Sequence, residues 1–566
     1  MTQAIRKTAP EALAPVPFNI PQPFQTTLAN GLRIVIFEDK RLPLVSYRLA
    51  FMSGEANDPT DSIGLTSAMA SMLTEGTENY SSLALAEKIE RLGASISASS
   101  SDDFTVLAAS TLALYNSEIL HLMSEIVFRP TFPADELDLY KRNAIENLKF
   151  QRSQPNFLAN EQTARLLYGE HPYARVSSSA KDIEKLSSEA LSRFHNHRFI
   201  PNNAVLIAVG DVERDSLLQE IEEYFGDWAQ GTGPESTFPQ TPPRDKTTLT
   251  IVDRQGSAQA NIVLANLALG RKDPDYFAVT VMNQVLGAGA SSRVFMNLRE
   301  EKGYTYGAYT RVDAKKLAGD FEATAEVRTA VTGDSLKEFL YELNRIRDEK
   351  VTSEELADAK NFLTGVFPIR AETQEGLTNL IVSQQLYDLP GDYLQTYRDD
   401  VNAITVEDVQ RVANKYIVPD KMAIIIVGDA EEILPQAKPY SENVEIFDTE
   451  GKKRELSAYG QTASEAADFS GSWKLTVDFQ GQQVPVSLTL DQSGNSVSGR
   501  LETILGSGNI AEGSVRGNRI SATANTEIQG QDVEFVINGS VADGVMSGTI
   551  AAAIIPDSLT FTGTKN

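Results

Sequence analysis

One segment of this chain occurs twice. FIPNNAVLIAVGD, ending at Asp211, returns as IVPDKMAIIIVGD, ending at Asp429; Pro201 matches Pro419 and Gly210 matches Gly428, all at an offset of 218. Asp58-Pro59, ahead of one helical pattern, likewise matches Asp273-Pro274 ahead of another, at an offset of 215. Two nearly equal offsets mean a unit of about 200 residues repeated in tandem. Each copy runs from alternating, strand-like segments into helical periodicity, so each copy is an α+β unit. At 566 residues the chain exceeds one hydrophobic core in any case.

The order of segments follows from composition and turn signals. Residues 1–20 are rich in Pro and Ala and read as an extended N-terminal arm. Residues 21–228 are the first lobe: Asn30-Gly31 between apolar runs predicts a hairpin, 61–77 a helix, and Gly93 the stop of a second helix. Residues 229–247 hold Pro234, Pro239, Pro242 and Pro243 without periodicity and read as a linker. The second lobe is expected over 248–445, and the polar stretch 446–467 as a second linker. Residues 468–566 change character: eight short alternating segments separated by Gly, Asn and Asp turns predict a small antiparallel barrel or sandwich. Gly471-Ser472-Trp473 at its start resembles the calycin entry motif; an appended stabilising or docking domain is the plainer expectation. The fold class is therefore α+β, two homologous lobes in tandem, followed by an all-β domain.

Charge and composition remove several functions. Fifty-one basic against 77 acidic residues give −26, the wrong sign for nucleic acid or an anionic membrane. The absence of cysteine removes disulfides, thiol catalysis and thiolate metal sites. No run of 18 apolar residues is present, so no transmembrane segment is expected. The first residues contain no apolar signal core, so the cytoplasm is expected, or the periplasm if a signal has been removed. The four histidines, His121, His171, His195 and His197, lack the spacing of a metal pair; His195 and His197 would diverge by about 200° on a helix.

The stretch Ser291–Tyr309, SSRVFMNLREEKGYTYGAY, carries the chemistry. Arg299 falls in the last turn of an expected helix, Gly303 supplies the left-handed stop, and Tyr304-Thr305-Tyr306 starts a strand. Arg299 and Tyr306 can therefore converge only across a helix-to-strand corner. A guanidinium and a phenol there are two donors suited to a carbonyl oxygen gaining charge. On spacing alone the commoner arrangement is a buried tyrosine packed under a surface arginine.

This stretch resembles the signature of the inverted-zincin (M16) peptidases, the family of pitrilysin, insulin-degrading enzyme and mitochondrial processing peptidase. The resemblance implies that Arg299 and Tyr306 bind substrate and help stabilise the tetrahedral intermediate, from the half of the enzyme opposite the zinc. It also implies a substrate-guiding loop at Gly287, Gly289, Ser291 and Ser292, though a plain helix-to-helix turn explains this short segment as well. In that family a His-x-x-Glu-His helix binds zinc and activates water. Its frame is present here at Gly64, Met72, Gly76 and Thr77, but the two ligand positions hold Ser67 and Ser71 and the base position holds Ala70. The distal glutamate ligand would fall at Glu146 or Asn147.

Within the resemblance, a gripping corner without a metal helix implies the non-catalytic, substrate-binding subunit of a heterodimeric zinc peptidase. Such a subunit is inactive alone and holds no cofactor, with zinc in the partner chain and a peptide as substrate. The alternatives are a proteolytically silent scaffold subunit and a stand-alone peptide-binding protein.

Overall fold

The computed structural model describes residues 18–233, 236–459, 467–479, 482–503, 506–528, 531–542, 544–552 and 559–565. Most of the expected N-terminal arm and part of the second linker lie outside these residues. The chain divides into two compact units, Met1–Lys453 and Arg454–Asn566.

The first unit holds both copies of the repeat. In the first lobe the strands are β1 (Phe24–Thr27), β2 (Arg33–Glu38), β3 (Leu44–Phe51), β4 (Ser95–Ser100), β5 (Thr105–Leu112) and β6 (Ala204–Gly210). They form one sheet in the order β1-β2-β6-β3-β5-β4. The hairpin expected at Asn30-Gly31 joins β1 to β2, with Gly31 at φ +88°. In the second lobe the strands are β7 (Thr248–Asp253), β8 (Gln259–Ala268), β9 (Thr305–Ala314), β10 (Gly319–Arg328), β11 (Ala423–Gly428), β12 (Val444–Asp448) and β13 (Lys453–Arg454). Their order is β13-β12-β7-β11-β8-β10-β9. Five strands of each sheet correspond one to one: β2-β6-β3-β5-β4 match β7-β11-β8-β10-β9. The sheet of the second lobe also runs past residue 445, because β12 pairs in parallel with β7.

The repeated sequence segment forms the inner strands β6 and β11, every residue of which is buried. A strand buried on one face alternates; one buried on both reads as an unbroken apolar run. Both faces are covered because the lobes exchange helices. Leu49, Phe51 and Leu206 face Met69, Met123 and Phe225 of their own lobe. On the opposite face Val35, Val205 and Val209 pack against Phe367, Ile381 and Leu394, all from second-lobe helices. Reciprocally, Leu158, Leu167 and Tyr168 of the first-lobe helix Pro155–Tyr168 cover Val263, Ile425 and Val427. Each such side chain contributes about 1.5–3 kcal/mol when fully buried. Gln374 Nε2 donates to the Val209 carbonyl (2.6 Å) and the Leu44 carbonyl (3.0 Å), pinning the incoming helix to the sheet.

The second unit is a closed barrel of eight antiparallel strands from Gly471–Phe479 to Leu559–Lys565, each paired with its sequence neighbour and the last with the first. Trp473 is buried in it and its indole donates to the Phe469 carbonyl at 2.8 Å. Leu488, Ile537 and Phe561 pack in the same core.

Candidate functional site

The corner singled out in the sequence begins where the helix Tyr276–Leu286 ends. Gly287 is required there by close approach: a Cβ on it would stand 2.5 Å from the Thr310 amide nitrogen, and that amide donates to the Gly287 carbonyl at 2.9 Å. Thr310 Oγ1 also donates to Asn283 Oδ1 (2.7 Å), tying β9 to the helix. Ser292 is 3% exposed and its hydroxyl donates to the Gly289 carbonyl at 2.5 Å. Gly287 and Ser292 are thus engaged inside the turn, whereas Ser291 lies on the surface.

Arg293–Phe295 is one helical turn, and Met296–Glu301 widens into a π-helical turn, with the Lys302 amide bonded to the Asn297 carbonyl five residues back. Buried groups hold this turn from beneath. Arg293 makes a two-pronged pair with Glu355 (2.7 and 2.9 Å), and its guanidinium pulls the Glu355 carboxyl down to about 2 despite burial. Asn297 Nδ2 donates to Glu342 (2.9 Å) and Glu338 (3.1 Å). Gly303, at φ +63°, ends the helix as the sequence predicts. Arg299 and Tyr306 lie on the outside. The Arg299 side chain is 45% exposed, lies over the Phe295 ring at 4.9 Å and reaches Glu300 at 3.4 Å. Tyr306 is 91% exposed, which removes the alternative of a buried tyrosine under a surface arginine. Among the described residues no hydrogen bond joins the two; both are open to a third party.

The first-lobe helix that matches the metal frame is Leu65–Met72, shorter than the 61–77 expected. Gly64 at φ +88° precludes an earlier start, and the Asp58 carboxylate caps it, accepting from the Gly64 amide (2.7 Å), the Thr66 amide (2.9 Å) and the Thr66 hydroxyl (2.5 Å). Burial pushes Asp58 up to about 6, against those hydrogen bonds. Ala70 is buried at 1% exposure, and Ser71 Oγ donates to the Ser67 carbonyl at 2.9 Å. These groups do not fit zinc: serine hydroxyls are not among its ordinary ligands, the Ser71 hydroxyl is turned back on its own helix, and Ala70 has no group to take a proton. Glu146 and Asn147 lie exposed on the helix Ala134–Arg152, and Glu146 pairs with Lys149 at 2.8 Å. Among the described residues no three His, Asp or Glu side chains gather as a metal site. His171 is a turn residue accepting from the Tyr173 amide (3.1 Å), and His195 is buried, which lowers it to about 4.

The sequence reading missed the π-turn and an irregularity in β9. Thr305 pairs with Val327 and Ala308 with Ala325, so Tyr306 and Gly307 together stand opposite Glu326 alone. That is a β-bulge, and Gly307, a glycine inside a strand pattern, is the one sequence signal that could have marked it.

Comparison with known proteins agrees with the duplicated architecture. Residues 33–177 match the family model "Insulinase (Peptidase family M16)" and residues 185–363 match "Peptidase M16 inactive domain". The chain is 22% identical over 405 residues to an uncharacterized zinc protease, YmxG, of Bacillus subtilis, covering 71% of this chain and 97% of that one. It is 24% identical over 408 residues to the non-peptidase homolog YmxG of Helicobacter pylori (70% and 92%). A crystal structure of a peptidase M16 inactive domain from Pseudomonas fluorescens superposes with a TM-score of 0.68 at 28% identity, covering 72% of this chain and 98% of that chain.

Proposed function

The chain belongs to the M16 peptidase family, as a member whose metal helix carries neither ligand nor base, and from that premise we propose that it is the substrate-binding, non-catalytic subunit of a heterodimeric zinc peptidase. The observation that carries this reading is the exposed pair Arg299 and Tyr306, standing on a corner held from beneath by Arg293 and Asn297. Packing accounts for Arg293, Asn297 and Ser292; it accounts for neither of the two outer side chains.

In this reading zinc and the general base belong to the partner chain. Arg299 and Tyr306 donate hydrogen bonds to the scissile carbonyl oxygen or the backbone beside it, and the strengthening of those bonds as charge develops lowers the barrier. Loss of either donor then costs about 2–4 kcal/mol of barrier. The free edge of β9 or of β4 offers peptide backbone a ladder on which to lie.

The test is zinc content and cleavage of a quenched fluorescent peptide by this chain alone, by a chain carrying an intact His-x-x-Glu-His helix, and by the two mixed. Activity only in the mixture, reduced by Tyr306→Phe, supports the reading. Cleavage and stoichiometric zinc in this chain alone would overturn it. Co-purification with a membrane complex would favour the scaffold role, and a monomer holding peptide the stand-alone binding role.

A further inference from the structure

Tyr306 stands on the wrong face for its place in the strand. In β9 the buried side chains are Ala308 and Thr310, and residues two apart share a face, so regular alternation would turn residue 306 inward with them. It is instead the most exposed large side chain of the corner. The bulge is the cause: two residues, Tyr306 and Gly307, occupy the space opposite Glu326, and one extra residue reverses the facing of everything before it. The first lobe supplies a control. Gly93 and Gly303 end equivalent helices 210 positions apart. In β4 the pairing runs without a shift, and Ile96, the counterpart of Tyr306, packs against the core.

A bulge leaves backbone groups without ladder partners, and here one side chain gathers them. Thr305 Oγ1 lies 2.6 Å from the Glu326 carbonyl oxygen and 2.9 Å from that of Gly307, to either of which it donates, and it accepts from the Gly307 amide at 3.1 Å. Gly307 suits the other half of the bulge, since a Cβ there would meet the Tyr309 ring at 2.7 Å. Resting on the reading of Arg299 and Tyr306 given above, we infer that Thr305 is a positioning residue: its hydroxyl pins the bulge that turns the Tyr306 phenol out toward the peptide.

Thr305→Val removes the hydroxyl at nearly constant shape, and Thr305→Ser keeps it. In the full chain alone, the Gly307 amide is expected to exchange about tenfold faster with solvent in Thr305→Val than in wild type, with Thr305→Ser close to wild type. In the reconstituted pair, on a quenched fluorescent peptide, Thr305→Val is expected to lower kcat about tenfold to a hundredfold with little change in KM, and Thr305→Ser to restore it. Unchanged Gly307 exchange in Thr305→Val overturns the inference whatever the peptidase assay gives. Changed exchange with undiminished kcat, beside a Tyr306→Phe that is impaired, overturns the positioning role alone. If Tyr306→Phe is also unimpaired, the reading of the corner falls and the positioning role falls with it.

Discussion

The two lobes share a scaffold and differ at the places where a scaffold is not needed. In the first lobe the helix Ser82–Arg91 starts on a Ser81 cap, ends before Gly93 and leads into an evenly paired β4. Ile89 and Ile96, at the positions matching Arg299 and Tyr306, lie half-buried against the core. In the second lobe a π-turn and a bulge interrupt the same path, and the matching side chains face solvent. The helix heads differ as well. Asp58 is buried and accepts from the Gly64 and Thr66 amides and the Thr66 hydroxyl, whereas Asp275, two residues past the match Asp273, receives Arg411 and Lys415, each at 2.7 Å, and the Tyr416 hydroxyl at 3.0 Å. Duplication has kept what holds the sheets together and released what faces outward.

The comparison can be broken most forcefully at the corner. Arg299→Ile with Tyr306→Ile gives the second lobe the apolar corner of the first. Peptide cleavage by the reconstituted pair should fall by at least the 10²–10³-fold of one lost donor, roughly. The melting temperature of the chain alone should move little, since both sites are exposed.

Next in size is the exchange of helices. Ile381→Ala, in the second lobe, should destabilise the first by about 2–5 kcal/mol, because Ile381 packs on the first-lobe sheet. Trp228 stacks edge-on with Phe51 of that sheet and reports its unfolding in urea once Trp473→Phe silences the chain's other tryptophan. A midpoint at Trp228 that ignores Ile381→Ala would refute the interdependence of the lobes.

Acid titration sharpens the contrast between the helix heads. Asp58 binds its proton more tightly folded than unfolded, so its contribution to stability is greatest at low pH and is lost as pH rises from its ordinary 3.8 through about 6. The span amounts to about 3 kcal/mol. Burial also opposes the charge on Asp275, but Lys415, Arg411 and Tyr416 outweigh it and hold the group at about 2. Its contribution is present at neutral pH and lost as pH falls from 3.8 toward 2. Unfolding midpoints across pH should therefore lose the first slope in Asp58→Asn and the second in Asp275→Asn.

The smallest effect belongs to the caps. Ser81 Oγ accepts from the Ala84 amide at 3.3 Å, and Ser81→Ala should cost about 1 kcal/mol, read from urea unfolding.

Much of the scaffold was legible because burial on both faces writes itself into sequence. The runs at 204–210 and 423–428 are unbroken apolar strands for that reason, and the offset between them exposed the duplication. Gly303 and the Asn30-Gly31 turn were legible because left-handed backbone selects glycine. The eight segments of the last domain became strands through plain alternation, and closure settled barrel over sandwich. What stayed hidden depends on partners far away in sequence. Nothing in Pro155–Tyr168 says that it covers the other lobe's sheet. Val444–Asp448 is a short strand near the sheet's edge with three of its five residues only half-buried, and its part beyond residue 445 reads as linker. At the corner, Arg299 and Tyr306 were legible as residues but their facing was not, because a π-turn and a bulge each upset the count on which periodicity relies.

The exchange of helices also sets a timetable for synthesis. The first-lobe sheet has all its strands once Gly210 has emerged from the ribosome, yet Phe367, Ile381 and Leu394, which cover its second face, come more than 150 residues later. At about 5–20 residues per second that face waits, apolar and open, for roughly 10–40 seconds. A nascent chain stalled in this window is a ready client for a chaperone.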